Sequence, residues 1–149
     1  MDARREGRMR LALRICLAGM LAGSGAWAAA QAPIGAAPEG GLSAEYRQCM
    51  ATGDAAGGVT SAMLDCIGAE TGRQDARLNL AYKQAMARLD PAGRTRLRQS
   101  ERAWLVRRDT RCRKASASEG GGSAAGLVYA DCILQETAGR AAWLEAYGR

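Results

Sequence analysis

Apolar side chains recur at intervals of three and four along three long stretches of this chain, and no stretch alternates apolar with polar residues in the manner of a strand. The first stretch covers about residues 60–89. Met63, Ile67, Thr71, Asp75, Leu78, Tyr82, Ala85 and Leu89 fall on one helical stripe. Thr60 or Ser61 is placed to cap it by accepting from an orphan backbone amide. Gly68 and Gly72 each cost such a helix about 1 kcal/mol relative to alanine, so its first half is the weaker half. Asp90-Pro91 then breaks the pattern, since aspartate suits the cap of a new helix and proline its first position. The second helix runs to about Ala115 with the stripe Leu97, Glu101, Trp104, Arg108 and Cys112. Residues 116–123 (SASEGGGS) read as a flexible turn, and Ser123 can cap a third helix from Ala124 to about Tyr147. Its stripe is Leu127, Ala130, Leu134, Thr137, Ala141 and Leu144, with Trp143 at one edge. Residues 43–50 suit a short helix and 52–58 a loop. The expected fold class is all-α, a small antiparallel bundle of three main helices with short connections.

The first forty residues follow a different pattern. Arg4, Arg5, Arg8, Arg10 and Arg14 precede an apolar run at 15–22, then Gly23-Ser24-Gly25, then Ala26-Trp27-Ala28. That order is a basic region, an apolar region and a small-x-small cleavage site. Cleavage is expected after Ala28, with Ala30 the near alternative, and Met9 is an alternative start to Met1. The apolar run is too short to cross a bilayer, which takes about 20 residues in a helix. Arg14, close before Cys16, argues against a lipid-anchored product. The expected organisation is a signal peptide at 1–28, a disordered Ala/Gly/Pro-rich leader at 29–42 and a helical domain at 43–149. The product is periplasmic or secreted, with no integral membrane segment in the mature chain.

Composition narrows the chemistry. A chain of 149 residues makes one domain, and with no histidine it has neither a Ser-His or Cys-His nucleophile pair nor a His-ligated metal. Arginine outnumbers lysine 19 to 2, and the formal charge of +6 falls to +3 once residues 1–28 are removed. Four cysteines then remain: Cys49, Cys66, Cys112 and Cys132. The absence of a C-x-x-C spacing and an oxidising destination favour disulfides over zinc. Of the three possible connectivities, the local one, Cys49–Cys66 with Cys112–Cys132, is favoured because it closes two loops of similar size.

No catalytic residue emerges. Asp75, Glu101, Asp109 and Asp131 are the candidate carboxylates, but the spacing pairs no two of them for acid–base work. The expectation is a protein that is not an enzyme and holds no metal or cofactor. Between 94 and 114 lie nine basic residues against Glu101 and Asp109. Arg94, Arg98, Arg102 and Arg113 are the candidate patch for an anionic wall or surface component, the alternative being a merely solvated face. Export makes nucleic acid an unsuitable partner. Asp75, Arg108 and Thr137 sit on otherwise apolar stripes and need partners if buried. An Asp75–Arg108 ion pair between the first two long helices would satisfy two of them; a polar binding cleft is the other reading.

One ordered set of residues is more specific. Asp75, Leu78-Asn79 and Tyr82 (D-x-x-L-N-x-x-Y) are followed by Trp104, Arg108-Asp109 and Cys112 (W-x-x-x-R-D-x-x-C). The Gly121-Gly122-Ser123 turn, Cys132, Thr137 and Arg140 complete it. This order resembles the exported LprI-like domain family, known as lysozyme inhibitors. The resemblance covers about 60–147 and implies a small, helical, disulfide-bonded domain of the bacterial envelope that inhibits host lysozyme. The turn is extended by Ser, Gly and Ala, and the interval from Cys49 to Cys66 is longer than is usual in the family. Common animal lysozymes are basic, so binding by a chain of +3 calls for a locally acidic or neutral contact, or an arginine that reaches the carboxylates of the lysozyme cleft.

Overall fold

The computed structural model describes residues 41–147. The expected signal peptide and residues 29–40 of the expected leader lie outside the described residues. The helices are α1 (Ala44–Met50), α2 (Gly53–Ala56), α3 (Thr60–Arg88), α4 (Pro91–Ala117) and α5 (Gly122–Ala146). The described residues contain no strand, and the fold class is all-α. None of the described helices is long and apolar enough to cross a membrane.

Local chemistry sets the boundaries. Ser43 Oγ accepts from the Tyr46 amide at 3.0 Å and starts α1. The expected loop at 52–58 contains the single turn α2, which buries Ala55. At the α3–α4 junction, Asp90 is held extended ahead of Pro91 and its Oδ1 accepts from the Gly93 amide at 2.6 Å. A Cβ on Gly93 would come within 2.8 Å of that Oδ1 and 3.1 Å of the Leu89 side chain, so a larger residue there would push the capping carboxylate aside. Two expected caps differ. Neither Thr60 nor Ser61 caps α3, because the helix already includes both and has Val59 at its N-cap. Ser123 does not cap α5, because Gly120, Gly121 and Gly122 take positive φ and reverse the chain so that the helix begins at Gly122.

The three long helices run up, down and up. Arg77 of α3 meets Glu145 of α5 at one end, and Ile67 and Leu127 share a groove at the other, so α3 and α5 run parallel. Glu101 meets Arg140, Arg111 meets Glu136, and the Ser116 hydroxyl donates to the Ala125 carbonyl at 2.8 Å, so α4 runs antiparallel to α5. The main packing is of α5 against both partners, while α3 and α4 touch only slightly. Alanine at 81, 85 and 141 lets the backbones of α3 and α5 come close, and Leu78, Leu97, Trp104 and Leu144 fill the layer around them. Leu97, Leu134 and Leu144 are fully buried, each contributing about 2 kcal/mol through removal of apolar surface from water.

Two disulfides staple this frame, and they are the local pairs expected. Cys49–Cys66 ties α1 to α3 with Cα atoms 5.8 Å apart, and Cys112–Cys132 ties α4 to α5 at 5.5 Å.

Candidate functional site

The residues singled out by sequence separate into distinct groups. Arg140 is buried on α5. Its Nη2 donates to Glu101 Oε1 at 2.7 Å and to Ser100 Oγ at 2.8 Å, and its Nε donates to the same carboxylate oxygen at 3.0 Å. The guanidinium lies 3.8 Å from the ring centre of Trp143 and 5.7 Å from that of Trp104. Arg108 covers the Trp104 ring at 5.1 Å, and Trp143 packs on Tyr147 at 4.5 Å. The motif residues Trp104, Arg108 and Arg140 thus form one cation–aromatic stack that joins α4 to α5. Thr137 is buried beside it and donates to the Ile133 carbonyl at 2.7 Å, which satisfies its hydroxyl within its own helix. Leu78 and Tyr82 pack in the core.

The expected Asp75–Arg108 pair does not form. Asp75 is exposed and accepts from Asn79 Nδ2 at 3.1 Å, while Arg108 donates to its neighbour Asp109 at 2.9 Å. Asp75 faces solvent rather than α4, and α3 and α4 touch only slightly. The stripe of α3 was also misplaced through its middle. The buried positions are Cys66, Ile67, Glu70, Gln74, Leu78, Ala81 and Ala85, so Glu70 and Gln74 take the places that Thr71 and Asp75 were expected to fill.

Glu70 is the most constrained polar group in the domain, with a side chain that is fully buried. Its Oε1 accepts from the Ser43 amide at 2.9 Å and from Gln74 Nε2 at 2.7 Å; its Oε2 accepts from Ser43 Oγ at 2.6 Å and Arg73 Nε at 2.7 Å. Burial pushes its pKa up, but the hydrogen bonds from Ser43, Gln74 and Arg73 outweigh burial and lower it to about 2. Gln74 Nε2 also donates to the Gly41 carbonyl at 2.6 Å, and Arg77 bridges Gln74 to Glu145. Gly41 has φ +86°, and a Cβ there would sit 2.5 Å from Arg77 Nη1. Gly41, near the end of the expected leader, is therefore docked onto α3. Position 70 is polar, and its only signal in the sequence is its spacing from Ile67 and Gln74.

The candidate arginine patch lies on exposed α4 surface. Arg94, Arg98, Arg102 and Arg113 are all exposed and make no ion pair among the described residues. Arg94 Nε donates to the Met86 carbonyl at 3.0 Å across the hinge, and Arg98 Nη2 donates to Thr95 Oγ1 at 3.1 Å. The two acids of α4 are turned to other partners, Glu101 to Arg140 and Asp109 to Arg108. The outer face of α4 consequently carries uncompensated positive charge around exposed Leu105 and Val106.

A groove that the sequence did not single out lies between α1, α3 and the first half of α5. Tyr46 and Met50 of α1, Met63 and Ile67 of α3, and Leu127, Val128, Asp131 and Cys132 of α5 line a cavity of about 350 Å³. Burial, then the neighbouring charges of Asp131 and Glu70, raise the pKa of the Tyr46 hydroxyl.

Fold and site together define a disulfide-stapled, three-helix domain whose motif residues mostly brace the helices and whose open surfaces are one basic face and one apolar groove. The chain belongs to the family described as Lysozyme inhibitor LprI, which it matches over residues 40–144, the whole of the helical domain up to its last turn. No curated protein and no solved structure matches the chain.

Proposed function

We propose that the protein is exported to the bacterial envelope, where it acts by binding and inhibits lysozyme. The family match over the folded domain carries this reading. The fold is suited to binding: two disulfides and two buried, charge-assisted networks, around Glu70 and Arg140, hold the surface in one conformation, and a preformed surface loses less entropy on association. The signal peptide at 1–28 fits the oxidising compartment that the cysteines require.

A second reading rests on the uncompensated face of α4, which suits an anionic wall or surface component. One experiment separates the two. Hydrolysis of cell wall by lysozyme is followed with the oxidised protein over a salt series, together with pull-down of the protein on wall polymer. The inhibitor reading expects stoichiometric suppression of hydrolysis that survives charge reversal of Arg94, Arg98, Arg102 and Arg113. The envelope-module reading expects full hydrolysis, and polymer binding that falls with salt and with each reversal.

A further inference from the structure

We propose that the groove between α1, α3 and the first half of α5 is the contact for a basic protein partner, receiving an apolar side chain that neighbours a lysine or arginine. The partner's identity as lysozyme rests on the reading above; the chemistry of the groove does not.

The floor is apolar: Met50, Met63, Ile67, Leu127 and Val128. Within it stands a half-buried carboxylate, Asp131, whose hydrogen bond is a 3.3 Å contact from the neutral Gln135 amide. A carboxylate at an apolar wall is stabilised by a cation far more than by an amide, so the complementary group is positive. The surrounding elements share its sign. From α1 to Gly72 the described chain carries Glu45, Asp54, Asp65 and Glu70 against Arg47, and Asp131 is the one charge between Gly122 and Gln135. Arg73, the next cation along α3, is engaged by Glu70. The α1 and α3 side of the groove is therefore acidic, while the basic end of α4, with Arg111, Arg113 and Lys114, lies behind the α5 wall, tied to it by Cys112–Cys132. A basic partner repelled by the chain as a whole meets a locally acidic surface where it approaches over α1 and α3 toward Asp131.

The walls are also held in place. Cys49–Cys66 fixes the α1 wall to the α3 wall, and Cys132 on the α5 wall is bonded to Cys112 of α4. A volume of about 350 Å³, at the lower end of small-ligand cavities, accommodates a large apolar side chain with its flanking groups.

The test uses two probes on the oxidised full-length protein. Methyl NMR of Met50 and Met63 is followed with decyltrimethylammonium and, separately, decyl sulfate, both below their micelle-forming concentrations. The cation should shift both methyls, the anion should not, and Asp131→Asn should weaken the cation at least tenfold. Binding of a basic animal lysozyme is then measured by calorimetry. Asp131→Lys should weaken it at least tenfold with both disulfides intact and the melting curve unchanged, while charge reversal of Arg98 and Arg102 should strengthen it. Cation binding at the groove without lysozyme binding would reject the lysozyme reading and keep the groove as a site for basic, apolar partners. Methyls indifferent to the cation, or lysozyme binding that Asp131→Asn and Asp131→Lys both leave unchanged, would overturn the proposal.

Discussion

Replacing Glu70 with glutamine should destabilise the domain strongly at neutral pH and hardly at all in acid. The carboxylate accepts four hydrogen bonds from Ser43, Gln74 and Arg73 while its side chain is fully buried, and its pKa falls from 4.5 to about 2. A carboxyl whose folded pKa is depressed adds stability above its unfolded pKa and loses it as pH falls through the folded value. A shift from 4.5 to about 2 corresponds to about 3 kcal/mol, present above pH 4.5 and lost progressively down to pH 2. Glutamine presents an NH2 group where a carboxylate oxygen took two donors, so at least one of the Ser43 amide, Gln74 and Arg73 donors loses its partner. Other carboxyls titrate over the same range, so the informative quantity is the difference between variant and wild type. Urea unfolding of Glu70→Gln at pH 7 and at pH 2–2.5 should show a deficit of about 3 kcal/mol that shrinks below about 1 kcal/mol in acid. A deficit that stays constant across that range, or never exceeds about 1 kcal/mol, would refute the argument that ionisation of Glu70 stabilises the fold.

Three further outcomes are expected. Arg140→Met alone should cost about 3–5 kcal/mol, because it strands Glu101 at the α4–α5 interface, and the double variant with Glu101→Leu should recover part of that loss in the same urea assay. Asp75→Ala should change stability by less than about 0.5 kcal/mol, as expected of an exposed side chain bonded only within its own helix, whereas Arg108→Ala should cost about 1 kcal/mol through lost cover of Trp104. Replacing Cys112 and Cys132 by serine should lower stability by about 3 kcal/mol, the chain-entropy value for a loop spanning 20 residues, measured by denaturant unfolding of the purified variant.

The parts of the fold legible in the sequence were those fixed by local chemistry. Asp90-Pro91 marked a helix start because its cap and proline geometry act within four residues, and the cysteine pairs were readable because each closes a short loop. The stripe of α5 was readable because Leu134, Ala141 and Leu144 are apolar where they are buried. The middle of α3 was not, because its buried positions are Glu70 and Gln74, and their burial depends on hydrogen-bond partners 27 to 33 residues away, the Ser43 amide as donor and the Gly41 carbonyl as acceptor. The Asp75–Arg108 pair failed for a related reason: helical periodicity assigns faces but not neighbours, and α5 rather than α4 takes up most of the packing surface of α3. The groove depends on three elements converging, so its residues carry no common spacing. Arg140 was legible only through the motif order, since an arginine between Ala138 and Ala141 looks like surface until Trp104, Trp143 and Glu101 are brought to it.

Binding of lysozyme is the claim on which the functional account depends. Its most direct test is a titration of lysozyme-catalysed wall hydrolysis with the oxidised protein at concentrations well above the dissociation constant. The account predicts a linear fall in rate to an end point near one protein per lysozyme. Undiminished hydrolysis in the presence of excess, correctly disulfide-bonded protein would contradict it.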